Sequence, residues 1–232
     1  MTTTVRRVTT LALSALTLLG ASTAAALPSH TARPRAATNA AGCAIQGDST
    51  LVSLFASGQS FADFLRAAKA RREGWLRIAD SAQVAEALVE RAKAVGGEWS
   101  LLVVAIDACG DSMNSVPYAD KLASLVPGLS LRIVSPSAGR SVQQSHRSLD
   151  GRPATPTFVL LDAGGNDVGC IVELPTEIRE WGHSVRSTVS SDSLHAGIRS
   201  FYARNRGVAI ATELVQLMEA AKAGARRCQR GG

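Results

Sequence analysis

The segment AIDACGDS, residues 105–112, sets one thiol after an apolar run rich in β-branched residues, at the head of a helix-forming stretch. Amides at a helix start carry partial positive charge, and a thiol placed there ionises more readily than a free cysteine, whose pKa is about 8.5. The thiolate is the form that attacks a disulfide. Cys109 is therefore the residue read as a nucleophile, and Ser112, three residues on, can hydrogen-bond the thiolate. Asp111 suits the first turn of a helix, yet a carboxylate two residues from Cys109 opposes thiolate formation.

The remaining chemistry-bearing residues are scattered. Cys43, Cys109, Cys170 and Cys228 are even in number and allow three pairings. None stands in a CxxC or CxxH arrangement, and His30, His146, His183 and His195 occur singly, so a structural zinc site is disfavoured and no metal is expected. His146 and His183 have no spaced acid or serine that suggests a triad, and GxSxG is absent. Domain termini tend to lie close together, which favours Cys43 with Cys228 and leaves Cys109 free and Cys170 buried in a strand. Cys170 with either Cys43 or Cys228 is the competing arrangement. GGNDVG, residues 164–169, reads as a turn because no helix follows it, and RAAKARR, residues 66–72, reads as a solvated helix face.

The charge of +6 and the pI near 9.6 suggest a polyanionic partner until the charges are located. Four arginines precede Asp48, and Lys222, Arg226, Arg227 and Arg230 follow Glu219. Between those ends 17 basic residues face 19 acidic ones, so the body is nearly neutral and nucleic-acid binding loses its support. At the N-terminus Arg6 and Arg7 precede the apolar LALSALTLLG and the small residues ASTAAA, the order of an export signal cleaved near Ala26. Its apolar part is shorter than the roughly 20 residues of a membrane span, and no stable membrane insertion is expected. These features predict an export signal over 1–26, a flexible linker over 27–47, and a mature protein that is periplasmic or extracellular.

The elements that must position Cys109 follow from periodicity. Leu51, Leu54 and Phe55, then Phe61, Phe64, Leu65 and Ala68, then Val84, Leu88 and Val95 recur at helical spacing, predicting two or three helices, with Ser81 capping the last and Gly96-Gly97 stopping it. SLLVVAI, residues 100–106, is an unbroken apolar run as expected for a strand covered on both faces. A helix over about 112–125 follows, then the strand LSLRIV, a short helix at SVQQSHRS, and two strands, TFVLLD and DVGCIVE, around AGGN as an antiparallel hairpin. A last long helix spans roughly 202–223.

Cys109 in a strand-to-helix loop, Pro117 within that helix, Thr155-Pro156-Thr157 entering a hairpin, and a closing helix together resemble the thioredoxin-like superfamily, in a bacterial form that reads CGDS where thioredoxin has CxxC. The likeness covers 98–220, and 61–95 more loosely through FLRAAKARREGW. It implies an α/β thioredoxin-like fold, a central sheet with a C-terminal β-hairpin and flanking helices. The helical extension is read as 48–96, the thioredoxin-like domain as 97–223 and a basic tail as 224–232. It also implies a cis-proline turn at Thr155-Pro156, whose freed Thr155 backbone pairs with an extended substrate strand. Gly110, Asp111, Thr155 and Pro156 then form the substrate-binding set.

The departures from that pattern limit the chemistry. Ser112 stands where the family has its resolving cysteine, Ala108 replaces a tryptophan, and Val103 replaces a buried acid. Two readings follow. One is a monothiol thiol–disulfide oxidoreductase, a cofactor-free monomer in which Cys109 attacks a protein or low-molecular-weight disulfide and an external thiol resolves the adduct. The other is a catalytically silent module that grips extended peptide or a protein partner at Thr155-Pro156.

Overall fold

In the computed structural model, residues 48–228 are described. The expected export signal, the expected linker and Cys43 lie outside them. Four short helices come first: α1 (Ser49–Ser57), α2 (Phe61–Ala67), α3 (Arg72–Ser81) and α4 (Glu86–Val95). Ser81 was expected to cap the last of these. It instead closes α3, its hydroxyl donating to the Arg77 carbonyl, and α4 begins after Ala85 with no side-chain cap.

The strand β1 (Trp99–Val104) and the helix α5 (Gly110–Leu125) flank the Cys109 loop, followed by β2 (Leu129–Val134), α6 (Arg140–Ser145), β3 (Thr157–Leu161) and β4 (Asp167–Val172). Their order is the one expected from the sequence. The sheet runs β2-β1-β3-β4-β5, where β5 is Arg227–Cys228; β1 pairs parallel to β2 and antiparallel to β3, and β3 and β4 form the antiparallel hairpin. The β1 run is apolar throughout because both its faces are covered. Leu101 and Val103 join one core with Val116, Ala119 and Leu122 of α5, while Leu102 and Val104 join another with Val142 of α6. That alternation follows from the two-residue period of a strand.

Besides the four leading helices in place of two or three and the role of Ser81, three further features depart from the sequence reading. The single long closing helix is two, α8 (Ser191–Asn205) and α9 (Val208–Lys222), preceded by α7 (Thr176–Val185). Gly207 makes the break: its φ is +80°, and a Cβ there would lie 2.0 Å from the Tyr118 ring. The apolar periodicity lies in α9, after Gly207, so it carried no information about where the helix begins.

The second departure concerns the basic tail, where Arg227 and Cys228 form β5, parallel to β4. The disulfide joins Cys170 to Cys228, not Cys43 to Cys228. The two cysteines are register partners across β4 and β5, a neighbourhood created by a strand too short to read from composition.

The third is RAAKARR, which is not a continuous helix face. The helix α2 ends at Ala67, Arg71 turns with φ 53°, and Arg72 donates to the carbonyls of Leu65, Arg66 and Ala68. Among the described residues no helix is long and apolar enough to cross a membrane.

Gly207→Ala adds left-handed strain and a clash with Tyr118, and is expected to destabilise the fold by about 2 kcal/mol or more. Urea denaturation followed by circular dichroism checks it, and an unchanged midpoint would count against this account of the helix break.

Candidate functional site

The site is built on the loop that leaves β1. The Cys109 amide donates to the Ile106 carbonyl and the Met113 amide to the Cys109 carbonyl, so Cys109 closes a turn and opens α5 at once. Its φ and ψ are −82° and 124°, extended as an N-cap requires, and its sulfur accepts from the Ser112 amide at 3.4 Å. The thiol donates to the Thr155 carbonyl at 3.1 Å. Cys109 is half-buried, and it is the free cysteine among the described residues. Beside it Ile106 is 42% exposed, an apolar surface next to the thiol.

The helical extension holds this loop. The Asp107 carboxylate accepts from the amides of Lys69 and Ala70 at 2.8 and 2.9 Å, and the Ala70 and Lys69 bonds hold its pKa below the ordinary range. Trp75, fully buried against Phe61 and Phe64, donates its indole N–H to the Asp107 carbonyl at 2.9 Å. The Arg71 guanidinium donates to the Ala108 carbonyl at 2.7 Å. The loop before Cys109 is thus gripped on carboxylate and main chain by residues more than thirty positions earlier.

The other expected residues gather at the same place. Gly110, Asp111 and Ser112 form the first turn of α5, and Thr155-Pro156 is cis, with its Thr155 carbonyl against the thiol. Pro117 lies buried inside α5. Ser112 differs from expectation: its main-chain N–H, not its hydroxyl, reaches the sulfur, and the buried Oγ has no partner among the described residues.

Asp111 also takes on a new aspect. Burial first, and the Glu173 carboxylate next, push its carboxyl up to about 6, against the pull of Tyr202 and Arg71. Tyr202, on α8, neighbours Asp111, Ser115 and Cys109, although neither its hydroxyl nor that of Ser115 makes a well-formed hydrogen bond. Asp107, Arg71, Trp75, Glu173 and Tyr202 were not singled out from the sequence. Trp75 and Arg71 fall within FLRAAKARREGW, the segment noted for its likeness; Glu173 and Tyr202 carry no local signal at all.

As a whole the arrangement offers a half-exposed sulfur beside helix amides, a main-chain carbonyl across from it, and a carboxyl able to gain or lose a proton near pH 6. That is equipment for nucleophilic attack by a thiol.

Comparison with known proteins agrees with the fold. A family described as Thioredoxin matches residues 58–187, more than half of the chain. An HIV epitope-scaffold structure is 22% identical with a TM-score of 0.58, over 73% of this chain and 97% of that one. A protein of unknown function from Pseudomonas aeruginosa is also 22% identical, with a TM-score of 0.57 and the same coverage. At that identity the likeness speaks for the fold alone. None of the curated proteins matches.

Asp111 generates a pH prediction. An acid with a raised pKa keeps in the fold a proton that the unfolded chain has released, so stability falls as pH rises from 3.8 toward about 6 and stays reduced above it. Asp111→Asn is expected to remove that slope and to stabilise the protein at neutral pH by on the order of 1–3 kcal/mol. Urea midpoints of both proteins across this range check it. An identical slope in the variant would contradict the assignment.

Proposed function

The chain belongs to the thioredoxin family, and on that premise we propose that it carries out monothiol thiol–disulfide exchange through Cys109. The Cys109 thiolate attacks one sulfur of a disulfide, forming a mixed disulfide and releasing the other sulfur as a thiolate that takes up a proton. An external thiol then attacks the mixed disulfide through its own thiolate, leaves as a disulfide with the substrate sulfur, and restores Cys109. The external thiol supplies the electrons. The disulfide is that of a protein or a low-molecular-weight thiol.

The observation that carries this reading is the placing of the Cys109 sulfur between the Ser112 amide and the Thr155 carbonyl. The amide and the helix start favour negative charge on sulfur. Once the thiol has lost its proton, the Thr155 carbonyl loses its donor and can accept from the backbone of an extended substrate. Gly110 and Asp111 follow Cys109 in the first turn of α5, and Pro156 follows Thr155 in the cis turn across from the sulfur. The arginine-led apolar segment over 1–26 supports an exported site of action, periplasmic or extracellular, where such disulfides persist.

A second reading, a silent module that binds extended peptide, is favoured by Val103. It is fully buried in an apolar core at the position where the resemblance places a proton-accepting acid.

Ser112→Cys separates the two readings. The Ser112 hydroxyl has no partner to lose, and a second thiol there would resolve the adduct internally. Insulin reduction is expected to rise by about an order of magnitude or more, the advantage of a tethered over a free thiol. Cys109→Ser in the same background should abolish it. No gain from Ser112→Cys, together with slow iodoacetamide labelling of Cys109, would favour the silent module.

A further inference from the structure

The sequence spacing argued against a metal site, but the fold brings together three residues that sequence keeps far apart. His146, Cys170 and Cys228 present ligand atoms that all lie within 4.8 Å of one another. We propose that reduction of the Cys170–Cys228 disulfide turns this corner of the sheet into a binding site for a soft divalent cation of the zinc type, held by three protein ligands, Cys170, Cys228 and His146, with the fourth position open to solvent.

The geometry of His146 supports this. Its ring is 5% exposed, and Nδ1 lies 2.8 Å from the Val142 carbonyl, which accepts only from an N–H. A backbone carbonyl orienting one ring nitrogen is the usual companion of metal binding at the other. Nε2 faces the Asp167 carboxylate at 2.9 Å. One oxygen of that carboxylate is shared by His146 and Arg226, while Oδ1 is buried with no partner among the described residues. A cation on Nε2 would take the place of its bond to Asp167 Oδ2.

The sulfurs complete the donor set. A tetrahedral zinc with bonds of 2.0–2.3 Å places its ligand atoms about 3.5 Å apart. Once the sulfur–sulfur bond is gone the two sulfurs move apart toward that spacing, with the histidine ligand atom already within 4.8 Å of both. Clefts open on both sides of this corner: one of about 320 Å³ is lined by Cys170 and Cys228 with Glu213, Leu217 and Arg227, and a second of about 530 Å³ by His146 and Asp167. Two thiolates and an imidazole form a set that suits zinc better than a hard cation.

The conversion balances. A dithiol reductant gives two electrons to the disulfide and is itself oxidised to a disulfide; the two cysteine thiols formed bind the metal as thiolates, and two protons are released. The strand β5 is only Arg227–Cys228, at the sheet edge, so the metal would take over from the disulfide as the clip that holds it. This inference is independent of the Cys109 chemistry.

The test uses the full chain with Cys43→Ser and Cys109→Ser, so that Cys170 and Cys228 are its only thiols. After reduction by a phosphine and anaerobic desalting, cobalt(II) is titrated. The expected result is one equivalent bound, with a thiolate-to-cobalt charge-transfer band and the visible bands of tetrahedral cobalt, displaced by zinc and absent from the oxidised protein. His146→Ala should weaken binding by about tenfold or more. Cys228→Ser, at the edge and outside the main core, should remove the charge-transfer band with helical circular dichroism unchanged. Absence of that band in the reduced protein, its persistence in Cys228→Ser, undiminished affinity in His146→Ala, or loss of helical signal on reduction would each overturn the proposal.

Discussion

The Cys109 sulfur accepts from the Ser112 amide and donates to the Thr155 carbonyl, and these two contacts tie the start of α5 to the turn that enters β3. A helix N-terminus needs an acceptor for its free amides, and serine, threonine or aspartate usually supplies it. Here a half-buried thiol does so. The group that caps the helix is thus the group to which the proposal assigns the exchange reaction, so that reaction would act on a structural contact of the fold. The contact depends in turn on the loop before it, which Asp107, Trp75 and Arg71 fasten to the helical extension. Loosening that grip would free the capping sulfur from its carbonyl partner. The extension is therefore part of the site rather than an ornament on the domain.

Around the sulfur the polar groups are unevenly satisfied. The Ser112 and Ser115 hydroxyls and the Tyr202 phenol are buried without well-formed bonds, and the Asp111 carboxyl lies among them with its pKa pushed up to about 6, by burial first and Glu173 second. Buried polar atoms without partners cost free energy, and their clustering in one place is typical of a site kept for use rather than for stability. The helices α7 and α8 cover this side, with a small core of Leu174, Ile178, Phe201 and Tyr202. Through Tyr202 that segment neighbours Asp111, Ser115 and Cys109.

What could be read from the sequence was local. The β1 run, the hairpin and the Cys109-to-Ser112 turn all follow from short-range pattern, and each is present where the residues indicated. The Thr155-Pro156 turn came through family likeness and stands against the thiol. What escaped notice depends on distant pairs. Asp107 meets Lys69 and Ala70 only after folding, and His146 finds Asp167 across 21 residues, although the sequence suggested no acid for it. The disulfide was misassigned because β5 is two residues of a segment whose arginines look like a solvated tail. The split of the last helix turns on one left-handed glycine at the head of α9, just before its apolar stripe begins. The helices α7 and α8 bury few apolar residues, too sparsely spaced to read as a stripe.

Exchange chemistry at Cys109 requires a covalent intermediate that an inert buried thiol would not form. Incubating the protein with oxidised glutathione and weighing it intact by mass spectrometry tests this most directly, with peptide mapping to locate the adduct. The account predicts one glutathione on Cys109, removed by added reduced glutathione and absent from Cys109→Ser. A protein that stays unmodified at Cys109 while remaining folded would contradict it.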